Sequence, residues 1–280
     1  LEIEDSIRVK GNAALHSAGD IHVVGYAIGT GGVDQLDLHA DGSIMFDGPV
    51  GGAVEQLNLL SNVEVKDVEN GLYENVPVAG GHGRDLTADV VVLDGQITEI
   101  AVRAAGAGYL DSDVLTINAQ LLGSDSSTAF AFSVASLADL EGLHVSAAQN
   151  VIFSEHVEVD GDIVIHAQGT VHFEKGVILR GGGSIEIIDA SDIIFGSGVS
   201  LEPNAEGDKG YIKIDTPDAS VLTLPGGFMM SEDRDQTVDM PRAHMRAEGV
   251  EYAFVHGLED SRDAYALTLN GENLNVGGLD

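Results

Sequence analysis

Apolar residues recur along this chain in short alternating pairs separated by polar bends, and in the middle of the chain the pairs themselves repeat. Val-Ile-Phe-Ser-Glu-His-Val-Glu-Val occupies 151–159, Val-His-Phe-Glu-Lys-Gly-Val-Ile-Leu 171–179 and Ile-Ile-Phe-Gly-Ser-Gly-Val-Ser-Leu 193–201. The intervals are 20 and 22 residues, the length of one supersecondary unit, which predicts a fold built by stacking. A further apolar pair, Leu143 and Val145, Ile163 and Ile165, or Ile185 and Ile187, stands eight residues before each phrase. Every unit thus predicts three short strands, for example 163–165, 171–173 and 177–179, with the alternation of half-buried strands. No helix is needed in the unit.

Three strands and three bends in about 20 residues describe one coil of a parallel β-helix, in which each strand pairs with its counterpart one coil above, about 4.8 Å away. The predicted fold class is therefore all-β: a parallel β-helix, or solenoid, of 20–22 residues and three strands per coil. Phe153, Phe173 and Phe195 are expected to stack inside it, flanked by Val157, Val177 and Val199. The same grammar occurs near the N-terminus. Leu36 to Phe46 aligns position by position with Ile163 to Phe173, Leu15 to Val23 fits one coil earlier, and Leu57 to Val65 fits one coil later. With 210–224 after the central three, seven candidate coils result, in two blocks.

Between the blocks the pattern changes. Asp94-Gly95 is a tight-turn signal between two alternating runs, and Gly106-Ala107-Gly108-Tyr109 is followed by a further strand, Asp113-Val114-Leu115-Thr116-Ile117. Residues 67–141 are read as a small antiparallel β module inserted between N-terminal coils at 1–66 and central coils at 142–224. The remainder, 225–280, reads as an irregular excursion around Met229–Met245, with strand-like runs at Val250–Val255 and Ala264–Leu269 and a last coil-like stretch from Leu267 to Val276. The chain starts at Leu1 without an initiator Met, which is expected of an excised segment or a processed subunit.

Composition fits narrow coils. Of 280 residues 36 are Gly and 44% are hydrophobic but only 5% aromatic, as expected where bends need Gly and the interior takes Val, Ile, Leu and Ala. No apolar run reaches the roughly 18 residues of a membrane-spanning helix, so membrane insertion is not expected. The 46 acidic against 13 basic residues give a net charge of −33, which repels nucleic acid and anionic lipid. A carboxylate excess of this size is tolerated where salt screens it or divalent cations sit on it. No cofactor is expected, and calcium on the surface acids is a candidate ion. Cysteine is absent, so thiol chemistry and disulfides play no part.

Coil phrases such as Gly161-Asp162-Ile163-Val164-Ile165-His166-Ala167-Gln168-Gly169-Thr170-Val171-His172-Phe173 resemble those of large repetitive bacterial surface and adhesin-type proteins, the group that includes filamentous-haemagglutinin-like β-helices. The insert, through Gly106-Ala107-Gly108-Tyr109 and Asp113 to Ile117, resembles a small β module of phage structural proteins and other extended surface proteins. The resemblance covers most of 12–224 and transfers no site residues. It implies an extracellular or cell-surface location.

Sequence motifs of catalysis are missing: there is no Gly-x-Ser-x-Gly, phosphate loop or His-Glu-x-x-His, and no calcium-binding nonapeptide. Gly181-Gly182-Gly183 reads as a bend. Two constellations bear on chemistry. His16 and His39 occupy one coil position, so adjacent coils would bring their rings about 5 Å apart, within reach of a shared metal; the ordinary explanation is repeat ancestry. Glu155, Glu158, Asp160 and Glu174 are read as a line of outward acids, the residue type that glycan-cleaving β-helices use as acid or base, although an acidic face arises readily in so anionic a chain. The expectation is a structural, non-catalytic extracellular protein: a rod segment of a giant adhesin, or a filament subunit. It would contact copies of itself or flanking repeats through exposed coil ends, and surface glycans are further candidate partners. The competing reading is a carbohydrate-binding or polysaccharide-cleaving β-helix.

Overall fold

The computed structural model describes residues 1–31, 33–59, 63–65, 67–110, 113–125, 128–202, 204–205, 210 and 212–215. Beyond these it gives the backbone of strands 221–224, 230–231, 236–239, 244–248, 267–270 and 274–277. Contacts divide the chain into two units, residues 1–50 with 140–280, and 51–139.

The first unit is a β-solenoid. One of its sheets has nine parallel strands, running from Glu2–Ile3 through Ile21–Val23, Ile44–Phe46, Val151–Phe153, Thr170–Phe173 and Asp192–Phe195 to Val221–Leu224, His244–Glu248 and Leu274–Gly277. Alternation decides which side chains face in. Phe46, Phe153, Phe173 and Phe195 are each 2% exposed or less, in register from coil to coil. Their ring centroids lie 5.0, 4.8 and 5.3 Å apart with interplanar angles of 9° or less. Strand spacing fixes that separation, so identical residues in register must stack face on face. The neighbouring column, Ile21, Ile44, Val151, Val171 and Ile193, is fully buried, and each such side chain contributes about 1.5–3 kcal/mol by burial.

The bend at Gly183 explains its residue type. A Cβ there would lie 1.8 Å from the carbonyl oxygen of Gly161, so the coils come too close at this corner for any side chain. Gly181-Gly182-Gly183 is thus a bend, as its composition predicts.

The chain leaves the solenoid at Val50 and returns at Leu140. Val50 bridges to Val157 and Leu140 pairs with Val159, so residues 51–139 stand where the next coil has one residue, Glu158. Strand Ile44–Phe46 consequently pairs directly with Val151–Phe153, 107 positions later. This corrects the sequence reading in two places. Leu57 and Leu59 are not a coil pair: strand Ala53–Leu59 runs antiparallel to Ala129–Ala138, with Leu57 opposite Val134 and Leu59 opposite Phe132. Residues 57–65 therefore belong to the insert, which begins at 51 and not 67. Alternation has the same period in parallel and antiparallel strands, which is why the segment resembles a coil.

The tail also differs from the expectation of an irregular excursion. Met230–Ser231 pairs in parallel with Val199–Leu201, and His244–Glu248 with Val221–Leu224, so coil stacking continues. Leu267–Asn270 and Leu274–Gly277 extend it. The run Val250–Val255 lies outside the described residues.

The second unit has its own hydrophobic cluster, centred on Leu86, Val90, Val92, Leu115, Ile117 and Phe132, sharing no residue with the solenoid core. Two four-stranded antiparallel sheets build it. Its central hairpin, Arg84–Leu93 with Gln96–Ala107, turns at Asp94 and Gly95, both at positive φ, 52° and 72°. Two successive positive φ angles are what a tight hairpin turn requires, and Asp-Gly supplies them.

Candidate functional site

Strands Asn12–Ser17, Gln35–Ala40, Leu140–Ala147 and Val157–Ala167 stack in parallel, with Leu15, Leu38, Val145 and Ile165 in register facing the core. The intervening positions face outward. One outward column reads His16, His39, Ser146, His166, and the next reads Ala14, Asp37, His144, Val164. Apart from Ala14, these residues line an open groove of about 320 Å³. Four of the chain's ten histidines stand on this one face, so imidazole is concentrated here in a protein whose surface is otherwise dominated by carboxylates.

The structure brings His16 and His39 together as the sequence predicts, with ring centroids 5.6 Å apart and planes tilted by 48°. Asp41 Oδ1 lies 3.8 Å from His39 Nε2. His144 is held differently: its Nδ1 is 3.1 Å from Asp37 Oδ1 and 2.9 Å from Gln35 Nε2. His166 is separated from His39 by the whole coil that carries Ser146. The alignment of Leu36–Phe46 with Ile163–Phe173 already equates His39 with His166, so that part of the column was readable. The pairing of Asp37 with His144 was not, because it spans the insert. Among the described residues no group of three or more His, Cys, Asp or Glu side chains is placed to hold a metal ion.

The outward acids are not a line. Glu158 is 2% exposed, and Arg180 Nε donates to its Oε1 at 2.7 Å while Nη2 donates to the same oxygen. Arg180 Nη1 also lies 3.6 Å from Glu202. Desolvation and pairing of this kind hold a carboxylate in place rather than present it to a substrate. Glu155 and Glu174 sit beyond the strands that end at Phe153 and Phe173, and Asp160 is three residues past Val157 in the longer strand. These acids therefore occupy different faces and bends of the coil.

In the insert the polar centre is Asp113, 3% exposed. Its Oδ2 accepts the backbone N–H groups of His82 and Leu110, each at 2.9 Å, and its Oδ1 is 2.6 Å from His82 Nδ1. Burial by itself pushes this carboxyl up, but the two N–H groups and the His82 ring outweigh it and hold Asp113 below the usual carboxylate value. Burial raises the neighbouring Tyr109 phenol, against a hydrogen bond with the Leu86 backbone. Asp113 clamps the Gly81–Gly83 loop to the Tyr109–Leu110 turn, a structural role that accounts for the Gly-Tyr…Asp spacing.

Comparison with protein-family models, with curated protein sequences and with solved structures returned no match. No helix among the described residues is long and apolar enough to cross a membrane.

Proposed function

We propose that this protein is a structural, non-catalytic rod segment of an extracellular surface protein or filament, which contacts flanking repeats or copies of itself through the end of its solenoid. The observation that carries this reading is the coil-on-coil register: one parallel sheet runs through nine strands, with Phe46, Phe153, Phe173 and Phe195 stacked in line. Strands Glu2–Ile3, Ile7–Val9 and Asn12–Ser17 already follow this register, each pairing in parallel with the coil after it. Ile3, Ile7, Ala13 and Leu15 lie only partly buried against the core there. Coils that stack edge to edge over a continuous apolar core accept a further coil in the same register, whether supplied by a flanking repeat or by a second chain. Its surface charge keeps such a rod soluble and repels nucleic acid.

Sedimentation velocity and negatively stained micrographs of the full chain over a range of concentrations test this. End-to-end association is expected, and Leu15→Lys, which places a charge against the apolar core of the first described coil, is expected to abolish it. A chain that stays monomeric throughout would contradict the reading. So would release of sugars from an acidic polysaccharide that is lost on changing Glu174.

A further inference from the structure

We propose that His16 and His39 form a two-imidazole site for a divalent transition metal of the zinc, nickel and copper class, on the outer face of the solenoid. Such a site does not depend on how the solenoid assembles. Parallel pairing locks the two residues in register on adjacent strands, so the rings are held together by the backbone rather than by side-chain chance. A metal bound at about 2.0–2.1 Å from each of two imidazole nitrogens places the ring centroids about 5 Å apart. The rings stand at 5.6 Å. Both side chains lie at the surface, so their remaining adjustment is a ring rotation that displaces nothing.

Asp41 gives the pair an orienting group. Its Oδ1 is 3.8 Å from His39 Nε2, where a small movement lets it accept that N–H and leave Nδ1 of His39 with its lone pair for the metal. Carboxylates commonly support ligating histidines in this way. The rest of the histidine face is excluded by geometry. His144 is engaged by Asp37 and Gln35, and His166 lies two coils from His39, about 9–10 Å at the usual strand spacing. Among the described residues no third protein ligand converges on the pair, so water completes the coordination. The donor set selects the metal: imidazole suits zinc, nickel and copper, whereas calcium and magnesium take oxygen.

The test is calorimetric titration of the untagged full chain with Zn²⁺, in excess Mg²⁺ so that surface carboxylates are already occupied. One site per chain is expected. His16→Asn and His39→Asn are each expected to abolish it, and the double variant to behave like either single one, the signature of two groups chelating one ion. Asp41→Asn should weaken binding about tenfold, and His144→Asn and His166→Asn should leave it unchanged. Histidine resonances of the native chain supply a second readout, with only His16 and His39 moving on addition of Zn²⁺. Binding that survives either His16→Asn or His39→Asn, shifts confined to other histidines, or no Zn²⁺ binding in excess Mg²⁺ would overturn the proposal.

Discussion

The solenoid and the insert solve the same problem, burying one face of each strand, by opposite means. In the solenoid core residues are supported by their counterparts one coil away, so Phe46, Phe153, Phe173 and Phe195 stack in register and Val151 pairs with Ile44 and Val171. In the insert the strands run antiparallel, the register shifts at Tyr73/Val76, Thr87/Ala88 and Val91/Val92, and single residues hold the corners. Four of the five non-glycine residues at positive φ among the described residues, Asp67, Asn75, Asp85 and Asp94, belong to it. Repetition distributes stability over many equivalent positions, while an irregular module concentrates it in a few.

That contrast sets the expected effect of mutation. The largest belongs to the ladder: Phe173→Ala removes a ring packed between two others and is expected to cost about 3–5 kcal/mol. Hydrogen exchange should show the loss at 151–201 with no change at the 84–107 hairpin. Conversely, faster exchange in the hairpin would mean that the two cores are coupled.

Asp113 comes next. Asp113→Ala strands the N–H groups of His82 and Leu110 and is expected to cost about 1–3 kcal/mol, read as faster exchange across 81–117 only. The pH dependence follows from the carboxyl's being held below its ordinary value. Its contribution is complete above the unfolded value, about 3.9, and is lost as pH falls through the lower folded value. Acidification from about pH 5 to about pH 2 should therefore loosen the insert. Asp113→Asn, which keeps an acceptor for the two N–H groups, should remove that component.

The smallest effect is expected at the hairpin turn. Gly95 sits at φ 72°, and a Cβ there would meet the Val65 carbonyl oxygen at 3.6 Å, an ordinary contact, so Gly95→Ala costs only the left-handed backbone, about 1 kcal/mol. Thermal unfolding followed through the insert measures it.

Legibility in the sequence follows the same division. The phrase around Phe153, Phe173 and Phe195 was readable because register pairing forces equal residues to equal positions, and the His16–His39 contact came with it. Asp94-Gly95 was readable because its turn has a local chemistry. The exit at Val50 was not: Leu57 and Leu59 alternate as a coil strand does, and only their partners, Val134 and Phe132, reveal the antiparallel sheet. The tail strands at 230–248 escaped notice because their charged, Met-containing sequence lacks the repeated phrase, although the backbone keeps the coil path. The burial of Glu158 escaped for a different reason, since its partner Arg180 lies one coil later and carries no recurrent signature.

One continuous solenoid runs through the chain, with residues 51–139 spliced in at a single position. Replacing 51–139 by one serine, so that Val50 and Leu140 flank it as Val157 and Val159 flank Glu158, tests this directly, with circular dichroism and denaturant unfolding as the readouts. The expected result is a β-rich chain that unfolds cooperatively, with exchange protection at 44–46 and 151–153 retained. A spliced chain that is unfolded, or that loses protection in those two strands while later coils keep theirs, would contradict it.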